Sequence, residues 1–264
     1  MAGLMPRSRL RALIVSGMSG LAISLCTLPS DSADSCRANA RFFFRLVRGN
    51  HRGDDEQMLL DRDDLGALGL RLAGSASGSR VNGPGSRFVV WVQGCTLGCK
   101  ACFNPQTHAP NADVTPTDEL ARRVLAHRAE SSSGLTLSGG EPFEQAVALE
   151  RLVVDLRRDW PTLNVLVFSG YTLEELRGPR APRGATELLA VIDLLVDGRY
   201  VAADASARPL RASRNQRLWV LGRPVHEPLP APLEVEVQIG PSGAILVSGF
   251  PDARLRRALG ELAR

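Results

Sequence analysis

Residues 94–105 read GCTLGCKACFNP and place Cys95, Cys99 and Cys102 within eight positions of one another. Thiolates are soft ligands, suited to zinc, copper(I) and iron–sulfur clusters. Three of them cannot close a tetrahedral site alone. Either His108 completes a Cys3His zinc site, or the thiolates ligate three irons of a [4Fe–4S] cluster whose fourth iron stays open to a substrate. Thiols without any ligand are the third possibility, and the loop by itself admits all three. A second stretch, Ser138-Gly139-Gly140-Glu141-Pro142, follows one helical crossover later. A strand ending in two glycines is often only a tight turn. It is also a place where exposed backbone can approach a bound molecule closely and hydrogen-bond an ammonium group.

Both stretches need positioning elements, and the pattern from about Leu68 onward supplies them. Arg87–Gln93 (RFVVWVQ) reads as a buried strand entered through the turn Asn82-Gly83-Pro84-Gly85, and the cysteine loop follows it directly. A helix is expected to open at Thr115-Pro116-Thr117-Asp118, with Thr115 as cap and Pro116 in the first helical position. Gly134–Ser138, Leu163–Phe168 and Val191–Val196 read as further strands. A helix from about Phe143 to Arg158 and short helical stretches near Leu173–Leu176 and Thr186–Ala190 lie between them. Leu218–Leu221 reads as a fifth strand. Apolar strands alternating with helices predict an α/β fold with a parallel sheet. In such folds ligands bind at the carboxyl ends of the strands. The cysteine loop and the GGEP, SGY (169–171) and DGR (197–199) segments should therefore meet at one edge. Leu233–Ile239 and Ala244–Val247 read as a hairpin, followed by an amphipathic helix over 252–262.

The chain has 264 residues, 44% of them hydrophobic, and a formal net charge of +4, enough for one core with appendages and too little charge for a nucleic-acid footprint. Lys100, beside the cysteines, is the only lysine; the arginine and alanine content reads as compositional bias. Three clustered cysteines plus Cys26 and Cys36 do not form a secreted disulfide framework and suit a reduced compartment, the cytoplasm. Residues 7–26, RSRLRALIVSGMSGLAISLC, have the outline of a signal peptide, yet Gly17, Gly20 and several serines interrupt the apolar run and no cleavage site stands out. It is too short and broken for a membrane span. Residues 1–67 are thus a targeting segment, a poorly ordered extension or sequence upstream of a misassigned start, with the last two preferred. Cys26 and Cys36 read as bystanders. The expected division is 1–67 extension, 68–222 core, 223–264 hairpin and helix.

Six stretches in order, VNGPGSRF (81–88), GCTLGCKACFN (94–104), LTLSGGEP (135–142), FSGYTLEEL (168–176), IDLLVDGRY (192–200) and RASRNQ (211–216), carry a resemblance. The chain resembles the radical S-adenosylmethionine (SAM) enzymes, and within them the activating proteins of glycyl-radical enzymes, above all those of anaerobic ribonucleotide reductases. The resemblance implies an incomplete parallel (β/α)6 barrel, a [4Fe–4S] cluster and SAM as cofactors, and reductive cleavage of SAM to a 5′-deoxyadenosyl radical that takes a hydrogen atom from a glycine. It implies a glycyl-radical protein as partner, a flavodoxin- or ferredoxin-type electron donor, and no nucleic acid or membrane. Cys95, Cys99 and Cys102 become the cluster ligands, and Ala101 and Phe103 neighbours of the adenine. Ser138, Gly139, Gly140 and Glu141 belong to the loop that meets the methionine ammonium. Ser169 and Asp197 become ribose or carboxylate contacts, and Arg199 a partner of the cofactor carboxylate through its planar fork. His108 becomes a residue beside the site, and Asn215 a turn residue. A bulkier residue at Gly140 is expected to keep the cluster and weaken SAM binding.

Two departures leave the partner open. Glu141 stands where many of these activating proteins have aspartate, and RASRNQ replaces RGSSNQ. Alternatives are a radical SAM enzyme acting on a peptide or small molecule, and a non-catalytic metal-binding module.

Overall fold

The computed structural model of the chain describes residues 11–17, 20–26, 68–232, 234–239, 245–252, 254, 255 and 258. Strands β1 (Arg11–Gly17) and β2 (Gly20–Cys26) pair antiparallel. Strand β3 (Gly69–Ser79) runs antiparallel to β4 (Arg87–Val92) and to the short β5 (Val114–Pro116), which leads into helix α1 (Thr117–Ala126). Then follow β6 (Gly134–Gly139), α2 (Ala146–Asp159), β7 (Val165–Phe168), α3 (Leu173–Arg177), α4 (Ala185–Val191) and β8 (Leu194–Asp197). A two-stranded excursion, β9 (Ala205–Arg208) and β10 (Arg211–Ser213), precedes β11 (Arg217–Val220), and the hairpin β12 (Val235–Ile239) and β13 (Ile245–Gly249) comes last.

The central sheet has the order β11-β8-β7-β6-β4-β3-β5. Its four middle strands, β4, β6, β7 and β8, are parallel, and every residue in them is buried. That burial on both faces is why they read as continuous apolar runs instead of alternating ones. The α/β class with a parallel centre is therefore present. The six parallel units of the expected barrel are met in part, because β3, β5 and β11 pair antiparallel at the flanks.

On one face, α1, α2 and α4 bury Leu120, Val124, Leu149, Leu152, Val153, Leu156 and Leu188 against the sheet. On the other, Leu166, Phe168, Leu194 and Val196 meet Leu210 of the β9–β10 turn and Phe250, while Val89 and Trp91 meet Leu246. The hairpin β12–β13 also reaches the sheet through Asn82 Nδ2, which donates to Ser248 Oγ at 3.0 Å. It pairs in turn with β2, giving the order β1-β2-β13-β12.

Local expectations shifted in three places. Thr115 and Pro116 are drawn into β5 opposite Leu70 and Gly69, so α1 starts at Thr117 without a side-chain cap; sheet pairing overrode the local capping signal. Pro142–Gln145 forms a 3-10 turn before α2 begins. Val191 closes α4, and β8 begins at Leu194. The closing helix expected over 252–262 lies mostly outside the described residues, as do Cys36 and most of residues 1–67.

Candidate cluster and cofactor site

The carboxyl ends of β4 and β6 are tied together backbone to backbone. Gly140 N donates to Val92 O at 2.7 Å and Glu141 N to Gly94 O at 2.9 Å. The cysteine loop is anchored at its root as well: Gly94 N donates to Thr107 O at 2.8 Å, and Cys95 N to His108 O at 3.0 Å. Glycine is required where these strands meet. Gly139 has φ +105, and a Cβ there would lie 2.4 Å from Val92 N; a Cβ on Gly140 would lie 2.2 Å from Gly94 O. Further along the loop, the Glu144 carboxylate accepts from Thr96 N at 2.9 Å and from Thr96 Oγ1 at 2.6 Å, and Asn104 N donates to Cys102 Sγ at 3.3 Å.

Cys95, Cys99 and Cys102 are free thiols, half-buried, and all three line one cleft. Its other walls include Leu97, Phe103, His108, Gly139, Gly140, Glu141, Gly170 and Tyr200. Burial, aided by the Glu141 and Glu144 carboxylates, pushes the Cys95 thiol up to about 12 against the opposing Leu97 N–H. Burial likewise raises Cys102. At neutral pH these groups hold their protons, so ligation must displace them.

Glu141 is 1% exposed, and its carboxylate accepts from Phe143 N (3.0 Å), Ser169 Oγ (2.9 Å) and Gly170 N (2.8 Å). Burial raises it to about 7, with those hydrogen bonds opposing. It thus joins the end of β6 to the end of β7, and Ser169 is occupied in that tie. Asp197 is fully buried; it accepts from Leu173 N at 2.7 Å and from Arg217 Nε at 3.0 Å. Arg199 pairs with Glu175 at 3.0 Å and lies over the Tyr171 ring. Of the residues singled out in the sequence, the structure brings Cys95, Cys99, Cys102, Phe103, Gly139, Gly140 and Glu141 to the cleft. Ser138, Ser169 and Asp197 are buried behind it, Ala101 is exposed with φ +57, and Arg199 is engaged in its ion pair.

Tyr200, like Leu97 and Thr107, lines the cleft without having been singled out in the sequence. Its ring meets Phe103 edge-on, with centroids 4.6 Å apart. A signal was available: the chain has two tyrosines, Tyr171 and Tyr200, and both follow strand-end loops.

The donor set fits an iron–sulfur cluster. Asn104 Nδ2 and Oδ1, His108 Nε2 and Ser138 Oγ are buried without hydrogen-bond partners, which is costly unless a bound group or water meets them. Among the described residues, no three His, Cys, Asp or Glu side chains converge on the position of one ion. A zinc needs its donors about 2.0–2.3 Å from a single point; a cubane takes each thiolate on its own iron.

Comparison with known proteins agrees. The 4Fe-4S single cluster domain family matches residues 81–219. The anaerobic ribonucleoside-triphosphate reductase-activating protein of Vibrio cholerae is 34% identical over 142 residues, which is 52% of this chain and 88% of the relative. The proteins of the same name from Enterobacteria phage T4 (30%, 53% and 86%) and Haemophilus influenzae (31%, 52% and 88%) are similar over the same length. With more than half of its length matched and its three thiols gathered at the strand ends, the chain belongs to the 4Fe-4S single cluster domain family, among the radical SAM activating proteins.

Proposed function

We propose that the chain is an activating enzyme that cleaves SAM reductively and takes a hydrogen atom from a glycine of a partner glycyl-radical enzyme. The observation that carries this reading is the single cleft in which Cys95, Cys99, Cys102, Gly139, Gly140 and Glu141 stand together. The names of the relatives support the partner class.

Cys95, Cys99 and Cys102 would hold a [4Fe–4S] cluster, and the backbone at Gly139 and Gly140 would meet the amino-acid end of SAM. When bound and reduced by one electron, the two together supply an organic radical able to abstract hydrogen. The chain's own residues provide the setting. Glu141 fixes the spacing of the β6 and β7 ends through Ser169 and Gly170. Glu144 holds the cysteine loop by Thr96. The Phe103–Tyr200 pair walls the cleft with two packed rings, which limits the access of water to a reactive intermediate. Asp197 and Arg199, already engaged in ion pairs, support the cleft from outside.

The electron would come from a flavodoxin- or ferredoxin-type donor, and the chemistry suits the reducing cytoplasm. Among the described residues no helix is long and apolar enough to cross a membrane. Residues 68–222 form the catalytic unit in this reading, a partial (β/α)6-type barrel, with the hairpin β12–β13 and Phe250 packed on one face.

The test is electron paramagnetic resonance of a candidate glycyl-radical protein after incubation with the reconstituted, reduced enzyme and SAM. A glycine-centred doublet is expected. Formation of 5′-deoxyadenosine with no radical on any candidate protein would redirect the substrate to a peptide or small molecule.

A further inference from the structure

The block RASRNQ (211–216) carried part of the family resemblance yet supplies no residue to the cleft lining. The structure gives it another task. After β8 the chain leaves the sheet for the β9–β10 excursion and returns as β11, antiparallel to β8, with Arg217 opposite Asp197. Residues 213–216 therefore come back beside 198–201, at the neck of the excursion.

Three side chains bind across that neck. Gln216, 3% exposed, donates from Nε2 to Gly198 O at 3.1 Å, while its Oε1 accepts from Ala212 N at 2.8 Å and Ser213 N at 3.2 Å. Asn215 Nδ2 donates to Arg199 O at 2.8 Å, and its Oδ1 accepts from Ser213 Oγ at 2.7 Å. Ser213 Oγ accepts in turn from Val201 N at 3.2 Å. The backbone is thus gripped at 198, 199 and 201. Gly198 N, donated to Tyr171 O at 3.1 Å, fixes the same turn from the β7 side.

The residue enclosed by these grips is Tyr200. Its ring stands edge-on to Phe103, the neighbour of Cys102, and the two rings line both the cysteine cleft and a second cavity lined by β9, Arg211 and Phe250. A side chain between two fixed peptide units has its direction set by them. A loose 198–201 turn would let the ring swing and join the two cavities.

We propose that Gln216, Asn215 and Ser213 are positioning residues that hold Tyr200 against Phe103 as a wall of the cluster cleft. This rests on the proposed function only for its consequence in SAM binding; the placement of the wall itself does not depend on it. The polar identity of the block follows, since a carboxamide at 216 has both the donor and the acceptors that this grip uses.

The test uses the full chain in two forms. In the cluster-free protein, alkylation of Cys95, Cys99 and Cys102 by iodoacetamide is followed by mass spectrometry at one pH. Gln216→Ala should raise the alkylation rate of the cleft thiols several-fold, and Tyr200→Ala should do the same without a further rise in the double variant. Arg214→Ala, in the same block but exposed and paired with Asp204, should leave the rate unchanged. In the reconstituted protein, Gln216→Ala should weaken SAM binding roughly tenfold, the equivalent of about one hydrogen bond, at full iron content. If Gln216→Ala does not fold, Asn215→Ala, which removes the grip on Arg199 O, should show the same effects at smaller size. Thermal midpoints are read alongside, because a merely structural role would lower them without moving thiol access. Unchanged alkylation in folded Gln216→Ala or Asn215→Ala would overturn the proposal. Faster alkylation in the variants, with no SAM binding even by the parent protein, would support the wall and instead defeat the reading of the site as a SAM site.

Discussion

Replacing Gly140 by alanine tests how the two cofactor loops are joined. The sequence suggests that a larger residue there keeps the cluster and disturbs only SAM. The structure leads to a different expectation, because the new Cβ would stand 2.2 Å from Gly94 O, 2.8 Å from Gly94 C and 3.0 Å from Thr107 O. All three are backbone atoms at the root of the cysteine loop, and none can rotate away as a side-chain tip would. Overpacking of this kind costs about 1–3 kcal/mol. Displacing Gly94 also endangers the Glu141 N to Gly94 O and Gly140 N to Val92 O bonds, at about 1 kcal/mol each. The sum, about 3–5 kcal/mol, corresponds to a fall in thermal midpoint of about 6–20 °C for a domain of this size. Cys95 follows Gly94 directly, so iron incorporation should fall together with stability. The assay is a thermal scan of the cluster-free protein, with iron and sulfide determined after anaerobic reconstitution. Gly98→Ala is the comparison: it lies in the same loop at φ +57, but its Cβ would meet nothing closer than Thr96 O at 3.9 Å. Only the left-handed strain of about 1–2 kcal/mol applies there, and the cluster should assemble. A Gly140→Ala protein with the parent's midpoint and full iron would refute the reasoning.

Other substitutions separate support from chemistry. Glu141 has an ordinary value of 4.5 and is raised to about 7 by burial. The folded state therefore binds its proton more tightly than the unfolded one. That contribution is fully present below about pH 4.5 and is lost as pH rises through about 7, by about 3 kcal/mol in total. Glu141→Gln should remove this fall from the urea-denaturation stability of the cluster-free protein measured between pH 4.5 and 7.5; an unchanged pH profile would contradict it. Asp197→Asn disturbs acceptors used by Leu173 N and the partly exposed Arg217, so stability should drop by about 1–3 kcal/mol. SAM affinity should stay within about twofold, measured by equilibrium binding; a large loss would return Asp197 to the cofactor. Arg87 is fully buried at the amino end of β4, donating to Thr136 Oγ1, Leu135 O and Asn164 O and Oδ1 among others. Arg87→Met should cost about 3–5 kcal/mol by denaturant titration while the surviving protein still incorporates iron.

Much of this arrangement was legible in the chain. The buried parallel strands announce themselves because burial on both faces removes alternation, as in Arg87–Val92 and Leu194–Asp197. The gathering of the cysteine loop and GGEP at one edge follows from both lying at strand ends. Strand β3 was not legible: LAGSAS is small and glycine-containing, and its partner β4 supplies the pairing that its own residues do not signal. The antiparallel flanks were hidden for a related reason, since a short strand's direction depends on its neighbour. The resemblance assigned Asp197 and Arg199 to the cofactor; their ion pairs with Arg217 and Glu175 were not legible, because the approach of those partners is a matter of tertiary structure. The role of Gln216 was invisible because its partners are backbone atoms, which every sequence shares.

The central claim is the cleft's chemistry, and one measurement reaches it most directly. The protein is reconstituted anaerobically with iron and sulfide, reduced, given SAM, and assayed for 5′-deoxyadenosine beside the variant in which Cys95, Cys99 and Cys102 are all alanine. Product from the parent protein and none from the variant is the predicted result. A full cluster that yields no 5′-deoxyadenosine, alone or with a glycyl-radical protein present, would contradict the account and leave a cluster-binding protein without this chemistry.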